Sequence, residues 1–477
     1  MLMTGLQAGS PSTHRRAETA ASPVHSGGGQ APGPRCRGLR GVLPQLTADP
    51  LGFLGESWRR HGDVVRLPLG RPPLGRIGHL VVHPQDLQHI LVERQRDYEL
   101  SSAYEVLGSV LGEGLLTSHG EDWRTRRRTV QPAFHPARLT RVAPLVGAAA
   151  EDGADALAAQ QGPVSLYDEM ARITLDVVGR ALLGVDVRDT ASVIAPALRV
   201  AQDFAIKAIY SPWSPLLGSG VRGMPTPAGH RFREAIGHLH VVVDELIERR
   251  RGSVRPGDDD VLALLLGSTT DADDPEHLRD ELTTFLLAGH ETTASALTWT
   301  LVSLAGSAQV RRDVQDELDG VLGGRPAELP DLDRLPLLAA VVSESLRLHP
   351  PAWMLERRAS SDDVVGGFDL RAGSAAILGI YWTHRHPEFW PDPETFDPSR
   401  WLATPAGGRP RTAYLPFGAG PRQCIGGAFS LLEAKLVLAT LLQRFDIDPV
   451  PGADTRPQPR ITLTASPSLR AVVRPRR

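Results

Sequence analysis

The stretch Phe417–Gly426, "FGAGPRQCIG", constrains this chain more than any other. Gly418, Gly420, Gly426 and the next residue, Gly427, let the backbone turn sharply and approach a flat object closely. Phe417 can stack near such an object, and Arg422 can pair with an anion. Cys424 is followed by "IGGAFSLLEAKLVLATLL", which reads as an apolar helix. The sulfur therefore sits near a helix N-terminus, where the dipole and nearby amides favour a thiolate. A lone cysteine is more often an apolar filler. Here the spacing Phe-x-x-Gly-x-Arg-x-Cys-x-Gly opposes that reading, since it arises by chance with a probability on the order of one in ten thousand or less.

The rest of the chain bounds the answer. Two cysteines cannot make a disulfide framework or a four-cysteine zinc site. A net charge of -3 argues against nucleic acid as a partner. No apolar run reaches the length of a transmembrane helix, so no membrane anchor is expected. Residues 1–31 are rich in Ser, Gly, Ala, Pro and Thr and lack the apolar core of a secretory signal. They read as a disordered leader or a misassigned start, and the expected compartment is the cytoplasm.

Residues 32–477 read as one domain. A helix is expected over Asp49–Asp63, then two short strands in "VVRLPLG" and "HLVVHP". Helical periodicity dominates from Pro84 to His349, with breaks at Pro132–Pro136, Ser211–Pro215 and Gly257–Asp260. Past Pro350 the chain is turn-rich, with short strands at Ala375–Ile380 and near Ile461–Thr464. The fold class is therefore mainly α with a small β portion. No GxGxxG follows a strand, so no flavin or nicotinamide module is present in this reading.

Four further constellations carry chemistry. In "LPLLAAVVSESLRLHPP", Glu344 and Arg347 share a helix face; they are either an ordinary surface pair or, given their apolar flanks, a buried one. In "RDELTTFLLAGHETTASALTWTLVSLAG", Gly289 sits mid-helix beside Ala288, and His290, Glu291, Thr292 and Thr293 interrupt an apolar wall. That centre is either a packing glycine with a solvated polar turn, or a groove with a hydroxyl and a carboxylate able to pass protons. In "SHGEDWRTRRRTVQPAFHP", Trp123 and Arg127 face one way, among Arg124, Arg126 and Arg128. This is either a solvated basic face or an anion clamp backed by a docking surface for an acidic partner. In "ETFDPSRW", Arg400 lies between apolar neighbours and needs a partner elsewhere.

A cysteine thiolate with glycine backbone close by is what an axial haem iron ligand needs, and the four constellations occur in a fixed order before it. In these motifs the sequence resembles the cytochrome P450 superfamily of haem-thiolate monooxygenases, soluble bacterial type, from about Pro32 to the C-terminus. The resemblance implies a single-domain P450 fold with haem b between the long central helix and the cysteine loop. By resemblance Cys424 is the iron ligand, with Phe417 and Gly426 lining the haem. Trp123, Arg127, Arg422 and Arg357 hold the propionates, although Arg358 is adjacent and open to that role. Glu344, Arg347 and Arg400 form a buried structural triad. Ala288 and Gly289 form an oxygen groove, and Glu291 and Thr292 are the catalytic acid–alcohol pair.

The implied reaction inserts one atom of O2 into a hydrophobic small molecule, a terpenoid or other secondary metabolite. Electrons come from NAD(P)H through a separate ferredoxin and ferredoxin reductase, and a monomer is expected. The implied pocket is lined by Leu100–Leu116, Phe204–Leu217, Ala288, Thr292, Trp353–Leu355 and Thr462–Ser466. Two other readings stay open: a haem-thiolate enzyme that uses peroxide or no external electrons, and a non-enzymatic haem-binding sensor.

Overall fold

The computed structural model describes residues 28–35, 38, 40–70, 75–209, 226–268, 274–402 and 408–476. The Ser211–Pro215 break and most of the expected leader lie outside the described residues. Gly28–Ala31 do not: Gly29 bridges Phe368, and Ala31 is buried.

A 31-residue helix, Pro275–Ala305, runs through the middle of the protein. Pro275 occupies its first turn, and the Asp274 side chain accepts from the amides of Glu276 and His277, both at 3.1 Å, so its orphan donors are satisfied. Apolar residues surround almost its whole circumference, which is the pattern of a helix buried on all sides. It packs against Leu166–Val177, Pro227–Arg251, Pro336–Leu348 and Gly427–Arg444. No helix among the described residues is long and apolar enough to cross a membrane.

The β portion is small, as the sequence implies. Strands Val64–Leu69 and Arg76–Val81 pair antiparallel, Val64 opposite Val81. Three more strands extend that sheet in the order Ala375–Leu378, Leu355–Ala359, Tyr98–Leu100. Its two faces bury separate apolar clusters, one around Leu87, Leu378 and Ala376, the other around Leu67, Leu80 and Trp353. The early helix falls at Pro50–His61, capped by Asp49.

What sets the position of the cysteine loop is a buried charge cluster. Glu344 and Arg347, on helix Pro336–Leu348, are both fully inaccessible, so the surface-pair alternative fails. Every N–H of the Arg347 guanidinium has an acceptor. Nε and Nη2 donate to Glu344 at 2.9 and 2.8 Å, Nη2 also to the Thr395 carbonyl, and Nη1 to the carbonyls of His384 and Pro393. Glu344 also accepts from the Asp397 amide and from Trp401 Nε1, each at 2.9 Å. Arg400 Nε lies 3.3 Å from the same carboxylate, an ion pair without hydrogen-bond alignment, while its Nη2 donates to the Asp392 carbonyl.

From this cluster the fixing passes through His384, which is wholly buried and held neutral, its pKa lowered to about 3 by burial. Nδ1 donates to the Arg347 carbonyl at 3.1 Å, and Nε2 accepts the Leu415 amide at 2.7 Å, two residues before Phe417. Tyr414 adds a bond from its hydroxyl to the Ser343 carbonyl. Arg347→Ala is expected to strip Glu344 of its two aligned charge-assisted bonds and leave only the misaligned Arg400 as a charge partner, a loss of about 3–5 kcal/mol, and to lower haem incorporation. The ratio of Soret to protein absorbance and the melting temperature measure this; wild-type values for both would show that the cluster does not place the loop.

Candidate functional site

The cysteine loop closes on itself. The Cys424 amide donates to the Phe417 carbonyl at 2.9 Å, and Gly418 and Gly420 take φ of +70° and +73°. A side chain at Gly420 would overlap the Leu91 carbonyl, so the turn requires glycine there. Helix Gly427–Arg444 starts directly afterwards. Cys424 lies deep among protein atoms, yet its side chain is accessible, so it opens onto an internal space instead of packed side chains. Burial raises the thiol above its ordinary value, outweighing the Gly426 amide and the nearby Arg127 charge. A coordinated metal acts the other way, since it deprotonates a thiol outright.

Three arginines converge beside this loop. Arg422 lies over the Trp123 ring at 4.6 Å and donates to the Ser118 carbonyl at 2.7 Å. Arg127 lies 5.7 Å from the same ring and donates to the Gln423 carbonyl at 3.0 Å. Arg357 is buried and faces the Tyr104 ring. Burial and the charges of Arg357 and Arg127 lower Arg422 to about 10. None of the three has a carboxylate partner among the described residues. Like charges gathered in the interior without a carboxylate pair fit an anionic group with two acceptor arms. Arg358 does not share in this: half-exposed, it pairs with Glu99 at 2.9 Å. Strand alternation turns it to the opposite face, which leaves Arg357 as the inward residue.

The basic face of the Trp123 helix, Gly120–Val130, is partly as read. Arg124 and Arg128 are exposed and share Glu121. Arg126 departs from that reading. It turns inward, pairing with Asp122 at 2.8 Å and Glu281 at 3.2 Å.

On the long helix, every residue from Glu281 to Leu301 is buried except Ala288, Gly289 and Thr292. Ala288 and Thr292 are one turn apart, so the opening is a single stripe. The Thr292 hydroxyl donates back to the Ala288 carbonyl at 2.8 Å, the bond expected of a mid-helix threonine. Gly289 has a packing role as well: a Cβ there would come 2.8 Å from Val178 of the neighbouring helical turn Val178–Leu183.

Glu291 and Thr292 do not touch. Adjacent helix positions point about 100° apart. The Glu291 carboxylate accepts from Thr462 Oγ1 at 2.7 Å and from Gln202 Nε2, away from the Thr292 stripe. It borders a cavity lined by Tyr167, Arg199, Gln202, His290 and Arg460. Burial pushes Glu291 up to about 7, against the pull of the Thr462 and Gln202 bonds. Thr293 points elsewhere again, meeting Ser430 Oγ at 3.0 Å and Glu433, so it ties the long helix to the helix after Cys424.

Of the expected pocket lining, Trp353 is absent: it is buried, with Nε1 bonded to the Arg460 carbonyl at 2.9 Å. Leu116 stays accessible between buried Leu115 and Thr117. Residues 210–217 lie outside the described residues. The sequence reading missed His384, and it took in Trp401 only as the end of "ETFDPSRW", without its bond to Glu344.

A deep cysteine on a glycine loop, an arginine cradle with no carboxylate pair among the described residues and an opened stripe on a central helix define a haem-thiolate protein. The chain belongs to the cytochrome P450 family, whose model matches residues 32–472. It is 36% identical over 444 residues to cyclooctatin synthase of Streptomyces melanosporofaciens, covering 92% of this chain and 94% of that one. It is 35% identical over 426 residues to cyclooctat-9-en-7-ol 5-monooxygenase of the same organism, covering 87% and 88%. Pentalenene oxygenase of Streptomyces avermitilis is 31% identical over 417 residues, covering 87% and 90%. The protein is a P450 monooxygenase, and its cofactor is the family's haem b with an axial cysteine thiolate.

The Glu291 environment has a signed consequence. Its folded pKa of about 7 lies above its ordinary 4.5, so between those values the native state keeps a proton that the unfolded state releases. Stability is therefore expected to fall as pH rises through that window, by about 2–4 kcal/mol. Glu291→Gln is expected to remove that part of the slope. Urea unfolding of both proteins at pH 5 and pH 8 checks it; equal losses would assign the slope to other groups.

Proposed function

We propose that the protein hydroxylates a terpenoid, with Cys424 as the haem ligand and with Trp123, Arg127, Arg357 and Arg422 as the propionate clamp. The observation that carries this reading is the cradle of three arginines, none paired to a carboxylate among the described residues, set beside a deep accessible cysteine. Phe417 and Gly426 belong to the same loop and would line the haem. When bound, haem supplies O2 activation and the oxidising power for an unactivated C–H bond. In sum, R–H, O2, two electrons and two protons give R–OH and water. The terpenoid class is supported by the similarity to enzymes named for cyclooctat-9-en-7-ol and pentalenene.

The chain's own residues hold and move the protons. Glu291, near pH 7 in its cavity, is matched to accept a proton from solvent and to release it at neutral pH. It delivers through a side-chain turn or a water, since Thr292 is not its hydrogen-bond partner. Thr292, on the accessible stripe, presents its hydroxyl where O2 and substrate meet, with Ala288 and Gly289 forming the groove. Arg124 and Arg128 offer an exposed basic surface on the clamp helix, suited to an acidic ferredoxin. Electrons then come from NAD(P)H through that ferredoxin and its reductase, and the protein works in the cytoplasm as a monomer.

The reading is tested with a panel of cyclic terpenes and terpene alcohols, a ferredoxin, its reductase, NADPH and isotopically labelled O2. One labelled oxygen in the product, dependent on ferredoxin, is the expected result. Product formed only with added peroxide, or no product from any terpenoid that shifts the Soret band, would overturn it.

Thr292→Ala is expected to leave haem and substrate binding nearly unchanged, because only a small group is lost. Product per NADPH should fall by about tenfold or more while hydrogen peroxide rises. Wild-type coupling in this variant would remove Thr292 from the relay.

A further inference from the structure

We infer that Glu281 is a positioning residue that makes the loop Gly112–Ser118 and the clamp helix Gly120–Val130 respond together to what enters the site. The inference rests on the haem reading above and goes beyond it. Glu281 lies seven residues before Ala288 and eleven before Thr292, so all three fall within about 40° on the helical wheel. It is on the same stripe as the opening, two turns upstream, and is fully buried.

One carboxylate serves two elements. Glu281 Oε2 accepts the Leu115 amide at 3.1 Å, and Oε1 accepts Arg126 Nη1 at 3.2 Å. Arg126 is on the clamp helix, next to Arg127 and one turn from Trp123. Asp280 adds a second tie, accepting the Glu113 amide at 2.8 Å. Glycines allow this approach: a side chain at Gly112 would overlap the Asp280 carboxylate, and one at Gly114 the Thr284 hydroxyl. Gly112 also takes φ +76°, where other residues are strained.

The loop is stiff between these ties. The Thr117 hydroxyl donates to the Gly112 carbonyl at 2.7 Å, and the Ser118 carbonyl accepts Arg422 of the cysteine loop at 2.7 Å. Leu116 is the one large apolar side chain left accessible in the middle, at 37%, and it ends the stretch Leu100–Leu116 that the P450 reading assigns to the pocket. A molecule that displaces Leu116 therefore moves the Leu115 amide. Glu281 cannot follow that amide without lengthening its 3.2 Å pair with Arg126, which also meets His277 of the same helix, and stretching a buried charge pair is costly. The displacement thus reaches the helix that carries Trp123, Arg127 and the exposed Arg124 and Arg128. Occupancy of the site is in this way felt at the proposed electron-donor surface.

The test is hydrogen exchange of the holoenzyme with and without 4-phenylimidazole, whose binding is followed at the Soret band. In the wild type the probe is expected to change exchange in both 112–118 and 120–130. Glu281→Gln keeps an oxygen for the Leu115 amide but has no charge for Arg126. In that variant the response of 112–118 should persist while that of 120–130 falls by about fivefold or more. Arg126→Gln breaks the same link from the other side and should act alike, so it decides the matter if Glu281→Gln does not hold haem. An unchanged response of 120–130 in either holo variant, or a wild type in which only one segment responds, would overturn the inference. A wild type whose Soret band ignores the azole would count against the haem reading, and the coupling would fall with it.

Discussion

The Arg347 guanidinium, buried with all five donors engaged, is the interaction on which the site depends. A planar fork with fixed geometry locks several chain segments at once, which lysine cannot do. Here the segments are helix Pro336–Leu348, the stretch from His384 to Thr395 and, through Glu344, Asp397 and Trp401. His384 then relays that placement to Leu415 and so to the cysteine loop. Cys424 owes its position to a chain of hydrogen bonds none of whose members needs to touch a substrate.

The long helix performs opposite tasks on different faces. Toward Ala288 and Thr292 it is open and small. Toward Gln202 and Thr462 it presents a deep acid, Glu291, that burial pushes up to about 7. Toward Ser430 and Glu433 it is bound to the helix that follows the cysteine. Separation of these faces turns the Glu291 carboxylate away from the accessible Ala288–Thr292 stripe, although Glu291 and Thr292 are adjacent in the chain.

Much of this was legible in the sequence because the chemistry is local there. The cysteine loop, Trp123 with Arg127, and Glu344 with Arg347 are spaced within one or two helical turns or a single turn of loop. The helical class followed from periodicity, and the short strands from alternation between turn residues. The undecided pair Arg357 and Arg358 was separated only by strand pairing, because Glu99 and Glu105 come from a distant segment. The roles of His384 and Trp401, and the tie from Glu281 to Arg126 and Leu115, were invisible for the same reason: their partners lie far away in the chain. Arg126 looked like its exposed neighbours, and only its buried acid distinguishes it. Trp353 shows the reverse case, where tertiary packing claims a residue that the resemblance suggests for the pocket.

The account stands on Cys424 holding haem iron as a thiolate. The reduced carbon monoxide difference spectrum of the wild type, set against that of Cys424→Ser, tests this most directly. The expected result is the red-shifted Soret band of a thiolate-ligated haem in the wild type and its loss in the variant. A variant that kept the wild-type band, or a wild type that never showed it, would contradict the account.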